Sequence, residues 1–317
     1  MIDFHSHILP AIDDGSKSME DSIQILREAR EAGFSKIIST SHYLEGYYEI
    51  KEEDRKRLIQ ELKNEDIGLE LYVGSEIYIT ENMIDLLKEK KASSINNSKY
   101  VLFEIPMNNK TMLTKEIIYR LIENGYVPVL AHPERYSFIQ QNPEELEELV
   151  DMGTLCQSNY GSIIGLYGKK TEKTVKKLLK NNLIHFLGSD VHRQEQIYNK
   201  IPKAIKKIKK IISEDKFIEL SEINPQKVLN NEEIEYAGPH LLPLCMLHKT
   251  KKNTSAMKLS QKSYNYLLAI LFSTCCIIFL TIFPPILPAS LADISPLYPS
   301  FKVTPTSEAT SYLNLSK

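Results

Sequence analysis

The sequence predicts an α/β protein whose parallel strands and helices alternate to close a barrel over residues 1–235 of 317. Two observations predict this class. Short apolar, β-branched runs alternate with longer amphipathic stretches, as in repeated βα units. Histidine or acidic residues stand in or just after six of the seven runs, and barrels of this kind place their sites at the carboxyl ends of the strands.

The periodicity defines the elements in chain order. The seven strand candidates are residues 2–4, 36–39, 69–74, 100–105, 127–130, 154–157 and 184–187. The first helix has the clearest limits, because Ser18 and Asp21 form a capping box, Ile25 and Ala29 belong to a buried stripe, and Gly33 follows. Further helices are predicted over residues 49–65, 81–90, 114–124, 143–152, 171–182 and 194–213.

Composition excludes some classes of function. The formal net charge of -2 shows no basic excess, so we predict no nucleic-acid partner. Of four cysteines only Cys156 lies within residues 1–235, so no disulfide or zinc-finger pattern forms and a reducing compartment is favoured. The chain opens with charged and histidine residues rather than an apolar stretch. We therefore expect a cytoplasmic catalytic domain without a secretory signal at its start.

The amino-acid composition of the chain changes after residue 235. Residues 236–262 are predicted to be a basic linker, 263–292 contain no charged side chain, and 293–317 are predicted to be a disordered tail. The stretch 266–283 has the length of one bilayer-spanning helix. Five lysines precede it and two follow it, a bias that keeps the preceding side in the cytoplasm.

Two interpretations of this hydrophobic segment compete. Residues 263–292 can anchor the enzyme at the inner face of the cell membrane. Alternatively, residues 257–292 resemble a complete secretory signal, with a basic start and a small-x-small ending at residues 290–292, which would indicate a fused second reading frame. A buried core helix is disfavoured, because no following domain could cover all of its faces.

The candidate site residues follow the predicted strands. His5 and His7 are two residues apart at the end of the first strand, where alternate side chains share a face. Carboxyl ends of barrel strands converge, so these residues should share one mouth with the other candidates: Asp14, His42, Glu76, Glu104, His132, Asp190 and His192. So many acidic and imidazole groups are stable together only when they are paired or coordinate metal. The pattern therefore predicts a metal site.

A family resemblance rests on motifs spread in order over this region. The motifs are residues 1–10 (MIDFHSHILP), 13–15 (DDG), 40–42 (TSH), 74–76 (GSE), 103–104 (FE), 131–135 (AHPER) and 188–192 (GSDVH). Together they resemble the CpsB/YwqE family of tyrosine-protein phosphatases, within the polymerase-and-histidinol-phosphatase (PHP) superfamily. The resemblance runs from Met1 to Asn231.

This resemblance implies a distorted (β/α)7 TIM-like barrel of the PHP type. It implies three divalent metal ions, held at the nine positions His5, His7, Asp14, His42, Glu76, Glu104, His132, Asp190 and His192. Glu76 and Glu104 would bridge the ions. Donors without thiolate suit manganese, iron or zinc, and manganese is our first expectation. The implied substrate is the phosphotyrosine tail of a bacterial tyrosine autokinase that controls capsular or extracellular polysaccharide synthesis.

The expected mechanism uses a metal-activated hydroxide that attacks phosphorus in line. Arg135 would hold the phosphate, and Arg193 is the candidate for a second phosphate contact, although relatives carry that arginine several residues further on. His192 or a metal-bound water would protonate the leaving tyrosinate. A cysteine nucleophile is excluded. That mechanism requires an arginine six residues after the cysteine, but this position is serine after Cys156 and lysine after Cys245.

Two other functions stay open at this stage. The protein could hydrolyse a small phosphate monoester such as histidinol phosphate. It could also be a metal-bound scaffold that docks a membrane kinase without hydrolysis, although every expected ligand is present in the sequence. A homo-oligomer is compatible with either function.

Overall fold

The computed structural model describes residues 1–109 and 111–234. The predicted linker 236–262, hydrophobic segment 263–292 and tail 293–317 lie outside these residues. Within the two described ranges, no helix combines the length and the apolar content that crossing a bilayer requires.

Parallel strands form the centre of the fold. The strands are β1 (Ile2–Ser6), β2 (Lys36–Ser39), β3 (His42–Tyr43), β4 (Glu70–Val73), β5 (Glu76–Tyr78), β6 (Tyr100–Glu104), β7 (Val127–Ala131), β8 (Leu155–Asn159) and β9 (Phe186–Gly188). One sheet has the order β1-β2-β4 and the other has the order β3-β5-β6-β7-β8-β9. Neighbouring strands within each sheet are parallel.

The two parallel sheets are continuous with one another and together form one curled sheet. Only residues 40–41 separate β2 from β3, and only residues 74–75 separate β4 from β5. Hydrogen bonds cross these breaks, from Gly74 N to Ser39 O at 2.8 Å and from Glu76 N to Thr40 O at 3.0 Å. The far edge returns to β1, where the Asp190 N–H donates to His5 O at 2.8 Å. The structure is therefore an α/β fold with a curled parallel sheet.

The described residues contain nine strand segments where seven strands were predicted. The predicted strands at 36–39 and 69–74 each resume after a two-residue break, as β3 and β5. At these breaks the backbone N–H groups of Gly74 and Glu76 donate to Ser39 and Thr40 instead of continuing a regular ladder. Short polar residues there allow the shift, and hydrophobic periodicity does not report it.

Helices cover the sheet between successive strands. They are α1 (Met19–Glu31), α2 (Glu52–Lys63), α3 (Met83–Lys88), α4 (Leu113–Glu123), α5 (Ser137–Gln141), α6 (Glu144–Asp151), α7 (Tyr160–Ile163), α8 (Lys169–Lys180), α9 (Ile201–Ile208), α10 (Glu214–Ile218) and α11 (Asn224–Leu229), with a π-helical turn at Glu219–Ile223. The predicted cap of α1 is confirmed, since Ser18 Oγ accepts from the Asp21 N–H at 3.2 Å. The predicted helix 194–213 is wrong in its length, because α9 begins only at Ile201, with a proline in its first turn.

Alternate strand residues pack on opposite faces of the sheet. Val101 and Phe103 belong to the larger apolar core shared with the helices, whereas Tyr100 and Leu102 belong to a smaller core with Val228 of α11. Strands buried on both faces are near-continuously apolar, which is why their positions could be predicted. This scaffold holds the carboxyl ends of the strands in place.

Candidate metal centre

The nine predicted ligands occupy one end of the curled sheet. His5, His42 and Glu76 lie within β1, β3 and β5, and Glu104 is the last residue of β6. The others lie in the segments that follow β1, β7 and β9: His7, Asp14, His132, Asp190 and His192. A register shift between Asp3 and Ser6 in the β1–β2 pairing marks an irregularity beside His5. Such irregularities often re-aim side chains at active sites.

Glu76 lies at the centre of this group. Its Oε2 atom is 3.2 Å from His5 Nε2, 3.3 Å from His7 Nε2 and 3.2 Å from His42 Nδ1. Its Oε1 atom is 2.8 Å from His132 Nε2. One buried carboxylate therefore faces four imidazoles. The position fits a carboxylate that bridges cations.

The donor atoms fall into three overlapping groups in the described part of the chain. The groups are His7, Asp14, His42 and His192; His5, His7 and Asp190; and His42, Glu76 and Glu104, with the donor atoms of each group within 4.8 Å of one another. His132 is outside these groups and joins through its contact with Glu76. The fold thus brings all nine residues together.

The supporting hydrogen bonds fix which imidazole nitrogens face the shared space. His5 Nδ1 is 2.9 Å from Gln157 Oε1, and His7 Nδ1 is 2.9 Å from Asp13 Oδ2. A proton on each Nδ1 leaves the Nε2 lone pairs free, and these two Nε2 atoms are only 3.1 Å apart. Metal-ligating histidines have this arrangement, with the second nitrogen donating to an oxygen acceptor. The residues therefore fit a divalent cation between them.

His132 gives a second indication of a metal. Its Nδ1 atom is buried and has no hydrogen-bond partner among the described residues. A buried polar atom without a partner costs about 1–3 kcal/mol. His132 also has φ +32° and Asp190 has φ +54°, in the left-handed region that non-glycine residues seldom adopt. Backbone strain of this kind concentrates at functional sites.

Two glycines allow the close packing beneath the ligands. A Cβ atom on Gly188 would lie 2.7 Å from His5 Cβ, and one on Gly15 would lie 2.6 Å from His7 Cβ. These separations are shorter than any normal contact between carbon atoms. A side chain at either position would therefore push a histidine out of place.

The carboxylates of the candidate metal centre favour positive charge on the groups beside them. Burial lowers the pKa of His5, but Glu76 and Asp190 raise it, to about 9. Burial likewise lowers the pKa of His42, whereas Glu76 and Glu104 raise it to about 10. Burial raises the pKa of Glu76, but His5 and His42 hold it well below its usual range. Ionised carboxylates here need either imidazolium protons or metal ions, and metal binding releases such protons.

Arg135 lies beside the ligands. Its Nη1 atom donates to Asp190 Oδ2 at 2.8 Å, and its Cζ atom is 4.6 Å from the centre of the Tyr167 ring. Asn159 Nδ2 also donates to Asp190 Oδ2, at 2.6 Å. Asp190 Oδ1 instead faces His5 and His7, at 3.6 Å from each Nε2 atom. The guanidinium is thus fixed at the edge of the group, with its side chain 28% exposed.

His192 and Arg193, which follow Asp190 closely, differ in their surroundings. His192 is half-buried, with Nε2 3.4 Å from Asp14 Oδ1. Arg193 is exposed, and its backbone N–H donates to Gln196 Oε1 at 3.1 Å. The structure places His192 among the ligands and the Arg193 side chain toward solvent. A phosphate contact by Arg193 stays a prediction.

Other residues behave as core groups. Cys156 is buried in β8 as a small core side chain, and burial raises the pKa of its thiol. The Cys156 N–H donates to His185 Nδ1 at 3.0 Å, so His185 is a packed, hydrogen-bonded residue. Glu134 accepts from Asn159 N at 2.9 Å and from Ser162 Oγ at 2.6 Å. Glu134 therefore stabilises the β8–α7 junction.

Sequence reasoning missed the residues that support the ligands. Asp13 accepts from His7, Gly15 and the His42 backbone N–H, although Asp14 next to it was the predicted ligand. Gln157 and Asn159 lie in β8, which corresponds to the one predicted strand, 154–157, without an acidic or histidine candidate. The polar run Gln157-Ser158-Asn159 at a buried strand end was the available signal.

The fold and this site define an α/β protein with a candidate metal centre of histidine and carboxylate donors at the carboxyl ends of its strands. The chain belongs to the capsular polysaccharide synthesis CpsB/CapC family, whose family model matches residues 1–230.

Named relatives agree with this membership. Tyrosine-protein phosphatase YwqE of Bacillus subtilis is 39% identical over 200 residues, covering 61% of this chain and 77% of that protein. Tyrosine-protein phosphatase CpsB of Streptococcus pneumoniae is 32% identical over 241 residues, covering 73% of this chain and 99% of that protein. A solved structure from work on YwqE and CpsB, described there as unique metal-dependent tyrosine phosphatases, has a TM-score of 0.68 and 35% identity. It covers 74% of this chain and 96% of that chain.

Proposed function

We propose that this protein is a metal-dependent protein-tyrosine phosphatase that hydrolyses phosphotyrosine by a metal-activated hydroxide. Membership of the CpsB/CapC family supports this activity, because the relatives are tyrosine-protein phosphatases. The curled sheet is, on this proposal, a distorted (β/α)7 barrel of the PHP type. Residues 1–235 form the catalytic domain.

The observation that carries the proposal is the convergence on Glu76. Four imidazoles lie within 2.8–3.3 Å of its two oxygens. Gln157 and Asp13 hold two of these rings with Nε2 turned inward. A structural ion pair would need one such partner, whereas a metal-bridging carboxylate needs several.

We infer three divalent ions, manganese in preference to iron or zinc, held by the nine residues. The three donor groups support this number, and donors without thiolate suit these metals. Glu76 shares its oxygens among the groups, and Glu104 adds an oxygen 3.3 Å from His42 Nδ1. Bound ions would lower the pKa of a water molecule and neutralise the phosphoryl oxygens.

The protein's own groups complete the chemistry. Arg135 has one nitrogen on Asp190, and its guanidinium has further donors that can hold a phosphate oxygen. His192 lies at the rim, where it, or a water bound to the ions, could supply a proton to the leaving oxygen. The tyrosinate is a fair leaving group, because tyrosine has a pKa of about 10. A weak acid is therefore enough.

The proposed substrate is the phosphotyrosine tail of a bacterial tyrosine autokinase that controls capsular or extracellular polysaccharide synthesis. The family's description as capsular polysaccharide synthesis proteins supports this assignment. A cytoplasmic location of the catalytic domain follows from such a partner. Anchoring through residues 263–292, and a homo-oligomer, remain predictions.

The test combines elemental analysis with turnover of a phosphotyrosine peptide by the full chain, His5→Ala and Arg135→Ala. His5→Ala should lose metal and activity together. Arg135→Ala should keep its metal and lose about 100-fold in kcat/KM, the usual loss for one transition-state donor. Strong preference for histidinol phosphate would replace the proposal with a small-molecule phosphatase. Full metal occupancy without turnover of any phosphotyrosine substrate would indicate a scaffold.

A further inference from the structure

A short hairpin follows β3 and returns the chain toward the site. Leu44 N donates to Tyr48 O at 3.1 Å, and Tyr48 N donates to Leu44 O at 2.8 Å. Gly46 at the turn has φ +78°, a value that glycine adopts without strain. The hairpin therefore fixes where Tyr48 lies.

The Tyr48 ring packs against a proposed ligand. Its centre is 5.9 Å from that of the His42 ring, with an angle of 17° between the planes. The series continues inward, from His42 to His7 at 4.5 Å and from His7 to His192 at 4.0 Å. Tyr48 is the member of this series that is not a proposed ligand. It ends the row of rings on the side of His42.

This side of the site is open to solvent. His42 is 17% exposed and Asp14 is 53% exposed, whereas His5 and His7 are fully buried. Tyr48 is itself half-buried and packs against the exposed edge of the site at His42. Tyr48 thus stands at the rim, beside the route to the ions.

We propose that Tyr48 is a specificity-determining residue whose ring forms one wall of the space that receives the substrate's phenyl group. The inference rests on the proposed function. A phosphoryl group held among the nine ligands leaves the attached aryl ring at their rim, since one ester oxygen joins the two. Aromatic rings attract one another in offset-stacked or edge-to-face geometry. An alkyl phosphate such as phosphoserine lacks a ring to make this contact.

The neighbouring tyrosine offers a matched control. Tyr47 occupies the same hairpin, but its side chain is 80% exposed. A contact with a small aryl substrate should therefore involve Tyr48 and not Tyr47. Phenyl phosphate is the suitable probe, because it presents a ring and a phosphate without a peptide.

The experiment separates recognition of the ring from recognition of the phosphate. The KM for phenyl phosphate and the inhibition constant of inorganic phosphate are measured for the full-length wild type, Tyr48→Ala, Tyr48→Phe and Tyr47→Ala, with metal content by elemental analysis. Tyr48→Ala should raise the KM about tenfold, as expected for one lost aromatic contact. It should leave phosphate inhibition and metal content unchanged. Tyr48→Phe and Tyr47→Ala should match the wild type.

Three results would overturn the assignment of Tyr48. An unchanged KM in Tyr48→Ala would show that the ring makes no contact with the substrate. A parallel rise in the phosphate inhibition constant, or loss of metal, would show that Tyr48 acts through His42. A loss in Tyr48→Phe as large as in Tyr48→Ala would assign the effect to the hydroxyl. Failure of the metal-loaded wild type to hydrolyse any aryl phosphate would instead refute the proposed function, and this inference with it.

Discussion

Replacement of Asp13 should weaken metal binding although Asp13 is not a proposed ligand. Its Oδ2 atom is 2.9 Å from His7 Nδ1 and accepts from the His42 backbone N–H at 2.9 Å. Its Oδ1 atom accepts from the Gly15 N–H at 2.9 Å. Burial raises the pKa of Asp13, but His7 lowers it to below the usual range. The ionised carboxylate therefore fixes the tautomer of one ligand and the backbone of another.

The number of lost hydrogen bonds sets the size of the effect. Loss of a partner that orients a metal ligand typically costs 10- to 100-fold in affinity, or about 1.4–2.7 kcal/mol. In Asp13→Asn the side-chain amide can rotate so that its oxygen still accepts from His7 and His42. Only the hydrogen bond from the Gly15 N–H is then lost. We expect about a 10-fold loss. Asp13→Ala removes all three contacts, and we expect a loss of about 100-fold.

Competition with a chromophoric chelator measures these affinities directly. Glu20→Gln is the control, because Glu20 is an exposed carboxylate in the first turn of α1. It should bind metal like the wild type. Far-UV circular dichroism checks that each variant is folded. Equal metal affinity in folded Asp13→Ala and the wild type would show that Asp13 does not orient the proposed ligands.

Three further predictions concern residues near the site and in the core. The Cys156 thiol should resist iodoacetamide in the native protein and Cys156→Ser should keep its turnover, because burial raises the thiol pKa; peptide mapping that finds Cys156 alkylated would contradict this. Burial lowers the pKa of His185 to about 3, so folding stability should fall by about 1.4 kcal/mol per pH unit between pH 6.5 and 3 as the unfolded chain gains a proton. Urea unfolding at several pH values should give a smaller dependence of the unfolding free energy on pH in His185→Asn than in the wild type. An identical dependence in the two proteins would contradict this assignment to His185. Tyr167→Leu should raise the KM for an aryl phosphate by about 2-fold to 30-fold, because the cation–π contact with Arg135 is lost. Tyr167→Phe retains the ring and should keep the KM of the wild type. An equal rise of the KM in both variants would exclude the ring as the cause.

The sequence was most informative where one physical rule dominates. Buried parallel strands must be apolar, so β2 was predicted with its observed bounds, Lys36–Ser39. The candidate metal-donor residues could be predicted as well, because the carboxyl ends of such strands meet at one edge of the sheet. His5 and Glu76 are 71 residues apart in the chain and 3.2 Å apart in the structure. The apposition of these two residues required only the predicted topology.

Finer features depend on packing that periodicity does not encode. Asp13 and Asp14 are adjacent carboxylates, and only the loop geometry makes Asp13 the partner of His7 and leaves Asp14 beside His42. The late start of α9 is a different case, because Pro202 at the beginning of the helix was a local signal for it. The amphipathic pattern over 194–213 concealed this signal.

The metal centre can be examined in a crystal structure of the full chain purified with manganese, with anomalous diffraction recorded at the metal edge. We expect anomalous peaks about 2.0–2.3 Å from donor atoms of His5, His42 and Glu76, in crystals whose dissolved protein hydrolyses a phosphotyrosine peptide. Active protein whose peaks lie elsewhere, or whose crystals show none beside these residues, would contradict this expectation.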